Sequence, residues 1–367
     1  MHNLNLRVKK LSVPIFFILI VSCFFNNKEG YLNFKIIGFI VMNYLKSSHP
    51  IIEKLDLKIP LFIAPMLGVI SESLMISTSK ERVFSFLPIG ASEKLSKNVI
   101  QEIYTNTVSK GNSDYIGIAI DMNRLKLDDS FFDFVLSLKP KAIWFSFGEA
   151  SSYIKKCKQN NILAFIQLNT FKEMQDAIDA DVDVLVAQGL EAGGHTGNKN
   201  SILSLLPNIK DYLEEIKKAN QIAVLAAGGV VDSRTFKAAR FLGADGVVMG
   251  TRFALSYEAN YPERYKNNIL NVKNNFDATL LSYEADLIMG REKHLHQGRA
   301  LINNMINNTV TKNLTENNLF ATQKKYQEAT INHDVVNEII WCSQNVGLIN
   351  KILSVRDIIK QIEEQFE

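Results

Sequence analysis

An α/β fold, a (β/α)8 TIM barrel with a smaller helical domain covering its mouth, follows from three features of this sequence. Short apolar or β-branched runs recur eight times between residues 61 and 249. Most gaps between them hold amphipathic stretches of helical length, and no G-x-G-x-x-G opens a helix after the first run. Eight alternations without a sequence repeat fit a closed barrel, and the missing glycine fingerprint argues against a doubly wound dinucleotide-binding sheet.

The expected strands are Leu61 to Ala64, Val83 to Leu87, Tyr115 to Ile120, Ala142 to Phe147, Ala164 to Leu168, Val184 to Gln188, Ala223 to Ala226 and Gly246 to Met249. Runs such as Val184 to Ala187 are apolar at every position, as strands buried on both faces must be. Ser151 to Gln159 and Thr170 to Ile178 read as intervening helices opened by Ser or Thr caps, and Asp232-Ser233 as the cap of a third. Residues 42–255 thus form the barrel and 1–41 an apolar extension outside it. Residues 256–334 are polar, Asn-rich and read as a helical cover, from which Ala285 to Met289 and Gly298 to Ile302 return toward the mouth. Residues 335–367 read as two amphipathic helices around Gly347 that pack on the barrel.

The active edge of such a barrel lies at the C-terminal ends of its strands. There the sixth run ends in Gln188 and enters Gly189-Leu190-Glu191-Ala192-Gly193-Gly194-His195-Thr196-Gly197. Four glycines allow positive φ and close approach of a ligand. Gln188 offers a donor and an acceptor to a planar ring edge. His195 reads either as a solvated loop residue or as an acid/base, an effect worth roughly 10² to 10⁴ in rate. The next two runs also end in glycine turns, and Gly228, Gly229, Gly250 and Thr251 there would cradle a phosphate with backbone N–H groups. The alternative is two tight βα turns without a ligand. His294 and His296 have no carboxylate or Cys at metal spacing and read as surface residues; no metal site is expected.

Composition limits the remaining classes. With 41 Lys and Arg against 38 Asp and Glu there is no basic stripe, and so no electrostatic case for nucleic acid. Cys23, Cys157 and Cys342 are far apart, at neither metal nor redox spacing, which suits a reducing compartment.

Three motifs carry a resemblance: Ala187 to Gly197, Ala226-Ala227-Gly228-Gly229-Val230, and Gly243 to Phe253. Together with Ala64-Pro65-Met66-Leu67-Gly68 and Gln344-Asn345-Val346-Gly347-Leu348, they resemble the nitronate monooxygenase family, formerly called 2-nitropropane dioxygenases. The resemblance runs from about Ile51 to the end. It implies an FMN-bearing TIM barrel that oxidises alkyl nitronates with O2 to a carbonyl compound and nitrite. It also implies His195 as the acid/base, Gln188, Gly193, Gly194, Gly229 and Val248-Met249-Gly250-Thr251 around the FMN, and Met66 beside its ring. This chain departs from the family in two places: Lys80 to Leu87 replaces a glycine-rich second strand, and Ala119 stands where an Asn usually follows the third strand's Gly-Val.

Two other functions compete with this one. An FMN-dependent enoyl-ACP reductase shares the barrel, glycine turns and histidine, but members of that family tend to carry Glu at the position of Gln188. A catalytically degenerate flavin-binding or partner-docking barrel would explain the altered second and third strands but not a retained His195. The expected partners are a small-molecule substrate and O2, with an oligomer compatible. At the N-terminus, Lys9-Lys10 and the apolar Leu11 to Phe25 resemble a secretory signal, and Ile20-Val21-Ser22-Cys23 a lipoprotein cleavage box. The favoured reading is a start at Met42 and a cytoplasmic protein; the alternative is lipoprotein export through Cys23, which alone would bring a membrane into play.

Overall fold

The computed structural model describes residues 47, 49–90, 95–128, 130–168, 170–196, 200–291, 296–311 and 314–364. The apolar extension with Cys23 and Met42, and also Gly197 and His294, lie outside the described residues.

Eight parallel strands form the barrel: β1 (Leu61–Ile63), β2 (Ser85–Ile89), β3 (Ile116–Asp121), β4 (Ala142–Ser146), β5 (Leu163–Leu168), β6 (Val184–Gln188), β8 (Ala223–Ala227) and β9 (Gly246–Met249). They are ordered β1-β9-β8-β6-β5-β4-β3-β2. Between β2 and β1 the ring is joined by the Phe62–Phe84 bridge, where Ile63 N–H donates to the Phe84 carbonyl at 2.8 Å. Strand alternation sorts the side chains into two cores. Phe62, Phe86, Trp144, Phe165, Val186, Leu225 and Val248 fill the interior, while Leu61, Ile118, Ile143, Ile166, Leu185, Val224 and Val247 face the helices. Trp144 and Phe165 stack at 6.2 Å, and Phe86 meets Phe165 edge-on at 5.3 Å, so the barrel centre is packed solid.

The sixth and eighth expected runs coincide with β6 and β9. The second begins later than expected and runs on to Ile89, because Phe84 meets β1 only in an isolated bridge and regular pairing with β3 starts at Ser85. Pro88, which has no N–H, is tolerated in β2 because that strand is laddered only to β3. The helix Phe171–Asp179 opens on a Thr170/Glu173 capping box, and Asp232 caps Ser233–Phe241 in the same way. Ser151, however, is not a cap: the cap position is Ala150, and the Glu149 carboxylate accepts the Ser151 N–H at 2.6 Å.

The cover contains the helices Glu284–Ile288, Asn304–Thr311 and Glu316–Asn332, together with a small sheet that the sequence did not reveal. In it β11 (Gly298–Leu301) pairs antiparallel with β10 (Thr279–Ser282) on one side and with the two-residue β7 (Gly194–His195) on the other. The C-terminal stretch departs from the expected pair of helices: Gln344–Leu348 is one 3-10 turn, and only Val355–Glu364 is α-helical. The backbone donors of Ser343 and Gln344 go to the barrel, to Thr251 Oγ1 at 2.9 Å and the Glu191 carbonyl at 3.0 Å. Val355, Ile358, Ile359 and Ile362 form the buried stripe of the last helix, which packs on Glu72–Lys80 and Ser233–Phe241.

Candidate active site

The alternation that sends Val184 and Val186 into the barrel also sends Gln188 into its mouth. Its Nε2 donates to the His195 carbonyl at 3.1 Å, and its Oε1 accepts from Gln167 Nε2 at 3.0 Å. Ser146 Oγ donates to Gln167 Oε1 at 3.4 Å and receives the Trp144 indole N–H at 2.8 Å. One polar chain therefore crosses the tops of β4, β5 and β6 directly above the aromatic core.

Beyond Gln188 the loop is fixed from both sides. Arg299 on β11 donates twice to the Leu190 carbonyl, at 3.3 and 3.1 Å, and once to Thr279 Oγ1 at 3.1 Å. Burial holds its guanidinium below the ordinary arginine range. Thr196 Oγ1 closes the turn onto the Gly189 carbonyl at 2.8 Å, and the Glu191 carboxylate caps the following helix at Ile202 N–H. Gly193 lies against the incoming C-terminal segment, where a Cβ would stand 2.5 Å from the Cys342 carbonyl carbon and 2.6 Å from Ser343 N. Gly194, at φ +66°, has nothing within 4 Å of such a Cβ.

That open side is where His195 stands. Its Nε2 lies 2.7 Å from Asp286 Oδ2, a carboxylate carried in by the cover helix Glu284–Ile288 and almost wholly buried. The Trp341 ring centre is 5.5 Å from the imidazole and that of Phe147 6.0 Å, the latter edge-on. Phe147 adopts φ +63°, uncommon for a bulky residue, just past the end of β4. His296 corrects the sequence reading: it is half-buried, 6.0 Å from Phe147, and burial together with nearby His195 lowers its pKa. It belongs to this site and not to the surface.

The two further glycine turns adjoin the same mouth. Gly228 and Gly229 have φ of +109° and +69°, and Asn345 Nδ2 donates to the Gly229 carbonyl at 2.7 Å. The N–H groups of Gly228, Gly229, Val230, Gly250 and Thr251 donate to no acceptor among the described residues. Neither does the buried Ser343 hydroxyl find a partner, next to Thr251. Met66 is beside Gly250, its sulfur 3.3 Å from where a Cβ would be. Of the expected pair in β9, Val248 faces the interior but Met249 faces the helices, its carbonyl taken by Ala64 N–H at 3.0 Å. Met249 therefore offers the mouth no side chain. Ala119 packs among the interior residues near Trp144, so it offers no polar side chain where the family usually carries an Asn.

Sequence reasoning placed Gln188, the glycine turns and His195, and the structure brings them together. It missed Asp286, Phe147, Gln167, Trp341 and Asn345. Asp286 lies within Ala285 to Met289, a segment expected near the mouth, so the position was signalled and the carboxylate was overlooked.

Comparison with known proteins bears on this geometry. The Nitronate monooxygenase family model matches residues 50–365. The chain is 33% identical over 236 residues to a nitronate monooxygenase of Neurospora crassa, an alignment that spans 64% of this chain and 60% of that protein. It is 28% identical over 260 residues to a probable nitronate monooxygenase of Bacillus subtilis, spanning 64% and 67%. Among solved structures, FabK from Thermotoga maritima superposes with a TM-score of 0.71 at 23% identity, covering 87% of this chain and 96% of that one. A nitroalkane oxidase from Streptomyces ansochromogenes gives 0.66 at 18%, covering 86% and 97%. The structural likenesses establish a shared barrel. With the described barrel, mouth and C-terminal helix all inside the family match, the chain belongs to the nitronate monooxygenase family.

Proposed function

We propose that this chain oxidises alkyl nitronates with O2 to a carbonyl compound and nitrite, with FMN held at the barrel mouth. The observation that carries the reading is His195, fixed over an open glycine turn between two aromatic rings and beside two phosphate-compatible turns. The residues present fit FMN. A single dianion needs several converging donors, and among the described residues five backbone N–H groups, at Gly228 to Val230 and Gly250-Thr251, are uncommitted, with the Ser343 hydroxyl nearby. Met66, Gln188, Gly193 and Gly194 would border the ring, and Val248 would close its floor.

Bound there, FMN supplies the electron acceptor for the nitronate and the route from it to O2. The remaining tasks belong to the chain. Trp341 and Phe147 flank the histidine and shield an alkyl substrate from water. With a neutral nitroalkane, the His195 imidazole takes the α-proton; a preformed nitronate arrives without it. The Gln188 amide needs its donor for the His195 carbonyl and its acceptor for Gln167, a dual demand that a Glu could not meet when ionised. This favours the nitronate reading over an enoyl-ACP reductase, and the retained His195–Asp286 pair argues against a degenerate barrel.

Among the described residues no helix is long and apolar enough to cross a membrane. The cytoplasmic reading is tested by mass spectrometry of the mature N-terminus: lipid on Cys23 would replace it with the lipoprotein reading. For the activity, nitrite is measured from an alkyl nitronate in air without nicotinamide, beside NAD(P)H consumption with a crotonyl thioester. Nitrite in the first assay supports the proposal; turnover only in the second overturns it.

A further inference from the structure

We infer that Asn345 is a positioning residue for a cofactor phosphate: by holding the Gly229 carbonyl it fixes the Gly229–Val230 peptide with its N–H turned to the anion. The inference rests on the proposed flavin site, not on the reaction carried out there. A carbonyl only accepts, so the Asn345 amide nitrogen, 2.7 Å away, is the group that faces it. In a trans peptide the C=O and N–H point to opposite sides. A carbonyl turned toward Asn345 therefore turns the Val230 N–H away from it, and that N–H has no acceptor among the described residues.

The turn needs such a tether. Gly228 and Gly229 adopt φ of +109° and +69°, and the freedom of glycine lets a peptide unit there turn over. Reversed, the Gly229–Val230 unit would present an oxygen to the phosphate in place of a donor. A charge-assisted hydrogen bond would give way to repulsion, within a cradle whose donors act only as a converging set. Asn345 fits this peptide closely: a Cβ on Gly229 would stand 3.2 Å from its Nδ2 and 3.0 Å from Glu191 Cβ.

Asn345 can act as a tether because the chain around it is itself fixed. Three consecutive residues reach three different βα turns. Ser343 N–H donates to Thr251 Oγ1 after β9, Gln344 N–H to the Glu191 carbonyl after β6, and Asn345 Nδ2 to the Gly229 carbonyl after β8. On either side of this strap the chain is held by the cover. Cys342 N–H donates to the Arg299 carbonyl at 3.4 Å, the Tyr261 hydroxyl to the Trp341 carbonyl at 2.9 Å, and Asn274 N–H to the Gly347 carbonyl at 2.8 Å. Val346, between them, is fully buried. The strap thus ties the cover to the phosphate turns, and one amide on it sets the direction of one donor.

Full-length protein freed of flavin, titrated with FMN and with riboflavin, which lacks the phosphate, reads the role directly. Asn345→Leu keeps the approximate shape and removes the donor without adding charge. It is expected to weaken FMN binding about tenfold while riboflavin binding stays within about twofold. Equal weakening of both ligands, or none for FMN, overturns the inference. In protein labelled with ¹⁵N-valine, the Val230 signal is assigned by its loss in Val230→Ile. Its amide proton is expected to move downfield when FMN binds to the wild type, and to lose that shift in Asn345→Leu. A wild-type signal that stays in place or moves upfield overturns the inference, and this part needs no change at Asn345, so it decides if the variant does not fold. Wild-type protein that binds neither flavin defeats the proposed cofactor reading and the inference with it. Protein that binds FMN but releases no nitrite defeats only the proposed reaction, and the binding comparison still decides the role of Asn345.

Discussion

Gln188 Nε2 donates to the carbonyl oxygen of His195 at 3.1 Å, so the residue that ends β6 also holds in place the histidine seven positions later. The loop between them is therefore a closed bracket, anchored at one end by an inward-facing strand residue and at the other by β11. Its two ends cannot move apart without breaking the polar chain that runs back through Gln167 to Ser146.

Gln188→Glu tests that bracket. The new carboxylate oxygen would face the His195 carbonyl, two acceptors where a donor and an acceptor now meet. Losing this half-buried bond is expected to cost about 1–3 kcal/mol in urea unfolding and to lower nitrite production at least about tenfold. Wild-type values in both measurements would show that the amide is not needed.

Gly193 and Gly194 are adjacent yet respond to different constraints. Gly193→Ala drives a methyl into the Cys342–Ser343 peptide, at 2.5 and 2.6 Å, so the C-terminal segment must shift. A loss of about 1–3 kcal/mol and weaker flavin retention are expected. Gly194→Ala meets no atom and pays only for its φ of +66°, about 1–2 kcal/mol. Thermal melts of the flavin-loaded variants rank them, with flavin retained in Gly194→Ala.

Arg299→Met separates the guanidinium from its volume. The Leu190 carbonyl loses both of its Arg299 contacts and Thr279 Oγ1 a third, deep under the cover. Destabilisation of about 1–3 kcal/mol is expected, with a rise in hydrogen exchange confined at first to the loop after β6. Unchanged exchange there would mean that the loop holds its shape without Arg299.

His49 gives a pH prediction away from the site. Burial lowers its pKa from the ordinary value of 6.5, so the unfolded chain takes up a proton that the folded chain resists. Its contribution to stability therefore falls as the pH drops below about 6.5. His49→Asn keeps a residue type that can accept the Ile51 N–H at the helix N-cap and removes the titration. Between about pH 6.5 and 5 its stability curve is expected to be shallower by up to about 1.4 kcal/mol per pH unit. Superimposable slopes in urea titrations at several pH values would contradict the assignment.

The barrel was legible because parallel strands buried on both faces leave uninterrupted apolar runs, and β6 and β9 match their expected spans to the residue. Strand ends were less clear where pairing, not composition, decides them, as at Phe84. The small cover sheet could not be read: β7 is two residues long, and its partner β11 lies about a hundred residues further on in a polar, Asn-rich region. The candidate site divides in the same way. Gln188, Gly193, Gly194 and His195 are contiguous and carry their glycine context with them, whereas Asp286, Phe147 and Trp341 arrive from three separate elements with no local pattern. His296 was misjudged because nothing in its own stretch of sequence marks it, whereas in space it lies 6.0 Å from Phe147 and close to His195.

Nitrite release decides the functional reading. Flavin-loaded protein given an alkyl nitronate in air, with no NAD(P)H, is expected to consume O2 and release nitrite together, at a rate that depends on enzyme concentration. O2 uptake and nitrite both at the enzyme-free background, from protein that carries its flavin, would contradict the assignment.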